Sequence, residues 1–403
     1  MNNNKGKISN FYNKKIKKSK IKFSMTETLT FMIIVFGLGL IVGGVIMYGR
    51  SAFGSTNISL NEFTSTYNEI VDNYYQDIDK DELLEAGISG MIKYLGDPYS
   101  TYMDKDVAED FNEDVDGTYQ GIGAEIRYND DKLPMISKIF ESSPAEAAGM
   151  KENDIILKVD DDDVIKWSLS SIANAIKGEK GTTVNVTVKR DGEEKVLVLT
   201  RGVVDNISVT GEVIESNGKK IGYLYISIFA SNTTKQFEKE LKSLEEQKID
   251  SLIIDVRDNS GGYLTTVTDI ISMFLKKDSV IYILKTKEQM DTVYDKTDES
   301  RSYPIVILAD NGSASASEVL VGALSETYGA KIVGEKTYGK GKVQKVLTLS
   351  SGAIFKYTYQ EWLTPKGNYI DQVGISPDVE VEYKRIDEKT DTQKNKAIEI
   401  LSK

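Results

Sequence analysis

Residues 29–48 run for twenty positions without a charge (Leu-Thr-Phe-Met-Ile-Ile-Val-Phe-Gly-Leu-Gly-Leu-Ile-Val-Gly-Gly-Val-Ile-Met-Tyr), and this limits what the chain can become. As a helix, that length crosses a hydrocarbon layer of about 30 Å. Eight lysines and no acid occupy the first 22 residues. Positive charge stays on the cytoplasmic side of a span. The arm at 1–28 is therefore expected to be cytoplasmic, and everything after Arg50 exported. A cleaved leader would have a shorter apolar region, of about 7–15 residues, and a small-residue cleavage site. Gly-Arg-Ser-Ala-Phe-Gly-Ser at 49–55 is a poor one. The reading is an uncleaved, single-pass anchor in the cell membrane. The net charge of the whole chain is −12, so the body beyond the basic arm is acidic. An acidic body lacks the basic footprint that nucleic acid requires.

Two absences narrow the chemistry. The chain contains no histidine and no cysteine. A Ser-His-Asp triad and a Cys-His pair are excluded, as are the usual Cys/His zinc sites. Any serine enzyme built from this chain needs Lys, Asp, Glu or Tyr as its base.

A short linker of small residues (51–57) follows the anchor. At 60–95, apolar residues recur at steps of three and four, predicting helices that end at Gly96-Asp97-Pro98. Residues 117–200 read as a small β-rich module. It opens on Gly121-Ile122-Gly123-Ala124, contains a short helix at Pro144, and has a second helix at 168–177. Asp160 to Asp163 suggest calcium, but they lack spaced ligands and are read as a solvated turn. From 221 to 386, strands and helices alternate, which predicts an α/β core.

Within that core, an apolar strand (304–310) meets a helical pattern (319–328) through Asn311-Gly312-Ser313-Ala314-Ser315-Ala316-Ser317-Glu318. Ser315 and Glu318 spell a capping box, and on this stretch alone capping is the ordinary reading. The same joint also suits a nucleophile beside unpaired helix N–H groups. Gly334-Glu-Lys-Thr-Tyr-Gly339-Lys340-Gly341 nearly spells a phosphate loop. It lacks the final hydroxyl, however, and leads into a strand-like alternation, whereas a phosphate loop must open a helix. Lys340 between its glycines is either a solvated loop residue or, if desolvated, a base. Asp258-Asn259-Ser260-Gly261-Gly262 is either a tight strand–helix turn or a donor of backbone N–H to a substrate oxygen. The Ser-x-x-Lys pattern of another Ser–Lys class occurs at Ser19–Lys22 and Ser216–Lys219. Neither context fits a catalytic helix.

In their order, the motifs resemble a known set. The Gly-hydrophobic-Gly loop and the Ser-Pro-Ala-Glu-x-Ala-Gly-Met run at 143–150 resemble a PDZ domain. Asp-x-Arg-Asp-Asn-Ser-Gly-Gly, Ser-Ala-Ser-Ala-Ser-Glu and Gly-Lys-Gly-x-Val-Gln together resemble the carboxyl-terminal processing peptidases, the tail-specific proteases of the S41 family. The landmarks Asn73-Tyr74-Tyr75, Asp97-Pro98-Tyr99-Ser100 and Gly374-Ile375-x-Pro377-Asp378 extend the likeness over about residues 60–385.

The resemblance implies an α+β multidomain chain. The anchor (29–48) would follow the arm (1–28). A helical region (58–112), a PDZ domain (113–202), an α/β peptidase core of crotonase/ClpP-like type (203–388) and a C-terminal tail (389–403) come after it. It also implies a nucleophile at Ser315, a base at Lys340, and Gln344 holding that lysine. Oxyanion donors would be Ala316 and one of Gly261 and Gly262, and Ile122, Gly123 and Ala124 would form a loop for a peptide C-terminus. No metal, nucleotide or redox cofactor is needed. The expected partners are protein C-terminal tails and the membrane, with a homo-oligomer through the 60–95 helices. One departure is Lys177 before Gly178, where many members carry arginine; lysine lacks the bidentate fork. The alternative is an anchored PDZ scaffold with a dead peptidase site.

Overall fold

Three buried or nearly buried strands carry the sequence motifs, and their order in one sheet organises the core. The computed structural model describes residues 59–385 and 391–403. The basic arm and the apolar run at 29–48 lie outside the described residues. Among the described residues, no helix is long and apolar enough to cross a membrane.

The chain divides into two units, residues up to Leu84 and Glu85–Lys403. In the first, helix Leu60–Asn73 is capped by the Ser59 hydroxyl and buries none of its residues. Helix Lys80–Tyr94 begins in this unit, with Asp79 accepting from the Asp81 and Glu82 N–H groups.

In the second unit, the central sheet has six strands. In spatial order they are Val209–Ser216, Lys219–Ile226, Ser251–Asp255, Ile305–Ala309, Lys331–Gly334 and Val379–Glu380. The first pair is antiparallel and the rest are parallel. Ser251–Asp255 and Ile305–Ala309 are buried at every residue, as parallel strands covered on both faces must be. Helices Thr233–Glu246, Leu264–Ser272 and Ala316–Ala323 cover one face, burying Phe237, Leu241, Val267 and Leu320. On the other face, Ile253, Val306 and Val333 pack against Ala397 and Leu401 of helix Thr392–Leu401.

The segment that the sequence sets apart as a C-terminal tail is therefore a covering layer. Asp391 caps its helix and also accepts from Arg257 Nη2 at 2.8 Å. Arg257 in turn donates to Asp255 at the end of a central strand. The helix is only 10 residues long with few apolar positions, so its pattern alone is weak.

A second sheet joins Thr101–Met103, Ile354–Leu363, Val280–Lys285 and Met290–Tyr294, with Lys342–Thr348 antiparallel beside Ile354–Leu363. The β-rich module has its own sheet, of Ala124–Tyr128, Pro134–Ile139, Ile155–Val159, Thr183–Arg190 and Glu193–Thr200. Its separate core includes Ile136, Ile156, Ile172 and Val186. Strands Thr118–Gly121 and Gly202–Asp205 pair where the chain enters and leaves it. The Asp160 to Asp163 run forms a hairpin turn there, with Asp160 accepting from Asn185 N.

Candidate active site

Three neighbouring parallel strands end at the same edge of the central sheet, where α/β folds place their ligands. Ser251–Asp255 leads into the 258–262 turn. Ile305–Ala309 leads into the turn before helix Ala316–Ala323, and Lys331–Gly334 leads into the loop holding Lys340. Motifs up to 82 positions apart in sequence thus become adjacent because their strands are.

The first two turns are sewn together by buried polar groups. Asp310 Oδ1 accepts from the N–H groups of Asp258 (3.0 Å), Gly312 (3.0 Å) and Ser313 (3.1 Å). The Asn259 carbonyl accepts from Ala314 N (3.0 Å) and Ser317 Oγ (2.7 Å). Ser313 Oγ donates to the Val256 carbonyl at 2.8 Å. Two of the three serines in Ser-Ala-Ser-Ala-Ser are therefore buried and bonded. Ser315, between them, is half-buried and opens into a cavity.

Its backbone separates the two readings of this stretch. An N-cap residue normally sits in the extended region. Ser315 stands at φ 55°, ψ −114°, a strained conformation of the kind that costs ~1–3 kcal/mol and marks exposed nucleophiles on sharp strand–helix turns. Capping alone does not call for it. Half of the capping box nevertheless serves the turn, because Glu318 Oε2 accepts the Ser315 N–H at 3.0 Å.

The Glu318 carboxylate also reaches the third motif. Fully buried, it accepts from Thr337 Oγ1 (2.6 Å), Gly339 N (2.7 Å) and Lys340 N (2.8 Å). Burial raises its pKa and these donors oppose the rise. Every partner donates, which is the geometry of an ionised carboxylate. One side chain thus holds the Ser315 turn and the Lys340 loop in fixed relation.

The Lys340 carbonyl accepts from Trp362 Nε1 at 3.1 Å, and its ammonium lies 5.2 Å from the Tyr99 ring centroid. Burial holds the Lys340 pKa below the ordinary lysine range. The charge of Lys356 pushes the same way, while Glu318 and Asp97 oppose. This is the environment a lysine base needs. Gln344 shares the cavity, but its amide donates to Thr358 Oγ1 at 3.3 Å and makes no hydrogen bond to Lys340.

Of the candidate oxyanion donors, Gly261 N–H is already given to Asn259 Oδ1 at 2.9 Å. Among the described residues, the N–H groups of Ala316 and Gly262 have no partner. Gly261 matters through its missing side chain, since a Cβ there would stand 2.9 Å from Ser315 Cβ and 3.1 Å from Ala316 N.

Ser315, Ala316, Gly261, Gly262, Lys340 and Gln344 all line one cavity of about 590 Å³. A larger cavity, of about 700 Å³, lies at the opposite end of the sheet, beside Lys219, Pro304 and Lys331 at the strand beginnings, and contains none of the motifs.

Comparison with known proteins agrees with this geometry. The model of peptidase family S41 matches residues 220–381, that of the activating protease CtpB N-terminal domain residues 46–107, and that of the PDZ domain residues 121–200. The chain is 36% identical over 326 residues to the carboxy-terminal processing protease CtpB of Bacillus subtilis, covering 80% of this chain and 68% of that one. It is 34% identical to a probable CtpA-like serine protease of Staphylococcus haemolyticus, covering 93% of this chain and 76% of the relative. This chain belongs to peptidase family S41. It is a serine-type peptidase of the carboxyl-terminal processing kind with a PDZ domain. A putative S41 protease of Bacteroides fragilis, 16% identical, has a similar fold at a TM-score of 0.50 over 82% of this chain and 91% of that one.

In this S41 chain, the predicted PDZ loop lies away from the cavity just described. Ile122 and Ala124 line a groove of about 150 Å³ together with Ile126, Ala173 and Ile176, and Gly123 stands between them in the chain without lining it. Among the described residues, the N–H groups of Ile122 and Gly123 have no backbone partner, that of Gly123 being directed at the Tyr119 hydroxyl, while Ala124 is already in register with Ile139. The ammonium of Lys177 stands at the groove mouth, 5.5 Å from the Tyr119 ring centroid.

Sequence reasoning missed two residues of the S41 site. Glu318 is legible as the third position of a capping box, but its grip on the Lys340 loop depends on strand order. Lys356 lies on a strand outside every motif and had no signal in the sequence.

Proposed function

We propose that this S41 peptidase is a membrane-anchored endopeptidase that cleaves near the C-terminal tails of exported proteins with a Ser315–Lys340 dyad. The carrying observation is a single cavity holding a strained serine, a desolvated lysine and two unpartnered N–H groups. Neutral Lys340 takes the Ser315 hydroxyl proton as the oxygen attacks the scissile carbonyl. The N–H groups of Ala316 and Gly262 hold the resulting oxyanion. Protonated Lys340 then gives its proton to the leaving amine. Water hydrolyses the acyl-enzyme by the same proton route, returning Ser315. Gln344 belongs to the cavity wall in this reading and orients Lys340 once substrate displaces its contact with Thr358.

The PDZ groove captures the substrate's terminal carboxylate on the Ile122 and Gly123 N–H groups, and its apolar wall takes the last side chain. The 29–48 span keeps the arm in the cytoplasm and the enzyme outside. The helices at 60–95, where Leu60 and Phe63 are exposed, are read as a contact between copies, which sedimentation of the purified chain checks.

Digestion of an unfolded protein by the purified full chain tests the chemistry. Ser315→Ala or Lys340→Ala should lower kcat by about 10⁴-fold or more. Cleavage that persists in either variant sinks the dyad. The native chain has no cysteine, so single cysteines report its topology. Asp191→Cys should react with an impermeant maleimide in intact cells, and Asn10→Cys only after permeabilisation. The reverse pattern would sink the anchoring.

A further inference from the structure

Most charges around the catalytic cavity have an assigned partner or task. Lys340 is the proposed base. Lys342 pairs with Glu361 and, at 3.4 Å, with Asp371. Lys345 is exposed to solvent. Lys356 is different. It projects from strand Ile354–Leu363 into the same cavity, half-buried, with its ammonium 5.2 Å from the Phe111 ring centroid. Among the described residues it has no acidic partner and no hydrogen bond, and burial alone pulls its pKa down.

A partly buried cation facing only an aromatic ring is poorly compensated. A cation–π contact of this kind offsets only part of the cost of burying the charge. A carboxylate entering the cavity would supply the missing charge. The body of the protein is acidic, so this local positive charge is also the feature that would draw an anionic group to the reaction centre.

We infer that Lys356 binds a carboxylate of the substrate, so that the catalytic cavity favours peptides carrying an acidic group beside the scissile bond. That group is either an Asp or Glu side chain or the terminal carboxylate of a short peptide. The inference rests on the peptidase reading and adds a specificity to it.

Peptide pairs test it with the purified full chain. In one set, a single Glu or Gln is stepped through the positions on either side of the cleaved bond. In the other, the peptide ends in a free acid or an amide. In the wild type, kcat/KM for the acidic member should exceed that of its neutral twin by about tenfold at one position, or for the free terminus; this is ~1.4 kcal/mol. The set that shows the ratio identifies the source of the carboxylate. Lys356→Gln should bring the ratio close to one, whatever its absolute rate, and Lys356→Arg should retain it. Ratios near one for every wild-type pair overturn the inference, and this arm needs no variant to fold. An unchanged ratio in Lys356→Gln overturns it as well. If the wild type cleaves no pair at all, the peptidase reading falls first. Equal cleavage of both twins removes only the carboxylate site.

Discussion

The PDZ loop and the Ser315 turn both carry backbone N–H groups with no backbone partner among the described residues, yet they are built in different ways. The PDZ loop is held by backbone hydrogen bonds and apolar packing. The Gly123 carbonyl accepts from Phe140 N and the Ile122 carbonyl from Ala145 N, Ile122 packs into the apolar core, and the strand leading into the loop pairs with Gly202–Asp205. The Ser315 turn is held by polar side chains that reach neighbouring strands and loops, those of Asp310, Asn259 and Glu318, each buried or half-buried. Capturing a tail needs only a complementary groove that the peptide can enter and leave. Stabilising a transition state needs donors and base fixed before the reaction begins. The module with the strained residue is therefore the one with the polar scaffold.

Four changes probe this contrast. The largest effect is expected from Gly261→Ala, whose Cβ would meet the Ser315 side chain and crowd Ala316 N. Loss of the oxyanion geometry should lower kcat by about 10²–10³-fold. Binding of a tail peptide to the PDZ groove, followed by fluorescence polarisation, should be unchanged. If tail binding weakens with kcat, the two sites are not built independently.

Glu318→Gln comes next. An amide presents its own N–H group to a ring of donors, loosening both the Ser315 turn and the Lys340 loop. A drop in kcat of about 10²-fold is expected, again with tail affinity retained. A rate within twofold of the wild type would mean that the carboxylate is structural only.

In the PDZ module, a Cβ on Gly123 would stand 2.4 Å from Ser143 Cβ, at a φ of 76°. Gly123→Ala should raise KM for tail-bearing substrates about tenfold, with kcat moving much less. A fall in kcat as large as the rise in KM would tie this loop to the chemistry and erase the contrast.

The smallest effect is on pH dependence. The proposed base, Lys340, would act only when neutral, and its pKa lies below the ordinary value through burial first and the Lys356 charge second. The rate of the chemical step should rise with pH, with a midpoint under ~10.4. Lys356→Gln removes one downward push and should move the midpoint up. Glu318→Gln removes an upward pull and should move it down. Shifts of the same sign in both variants would contradict this electrostatic picture.

Much of the molecule is legible in the sequence because it is local. The strand–helix alternation follows from hydrophobic period and turn residues, and the missing histidines and cysteines confine any serine chemistry to a few partners. The missed or altered parts depend on distance. The sequence pairs Gly261 with Gly262 as equal oxyanion candidates. This pair is the exception, a local one: the Asn259 side chain takes the Gly261 N–H two residues on, and among the described residues the Gly262 N–H has no partner. Gln344 is expected beside Lys340 but bonds to Thr358, because its strand pairs with Ile354–Leu363. The 389–403 segment reads as a tail because its apolar positions are few, and becomes a layer only where a bare sheet face and Arg257 are waiting for it.

By itself, then, the sequence determined which backbone turns could form and which chemistries could not, since both depend on residue types and their near neighbours. The tertiary structure decided, among the described residues, which of three serines is left open to the cavity, which glycine N–H has no partner, and that one glutamate bonds both the Ser315 turn and the Lys340 loop. The first and last of these depend on hydrogen bonds between turns that only the order of parallel strands brings within reach, and the second on the Asn259 side chain turned back within its own loop. A buried N–H, once given to one acceptor, is no longer free for another, whereas a carboxylate or carbonyl oxygen can gather several donors.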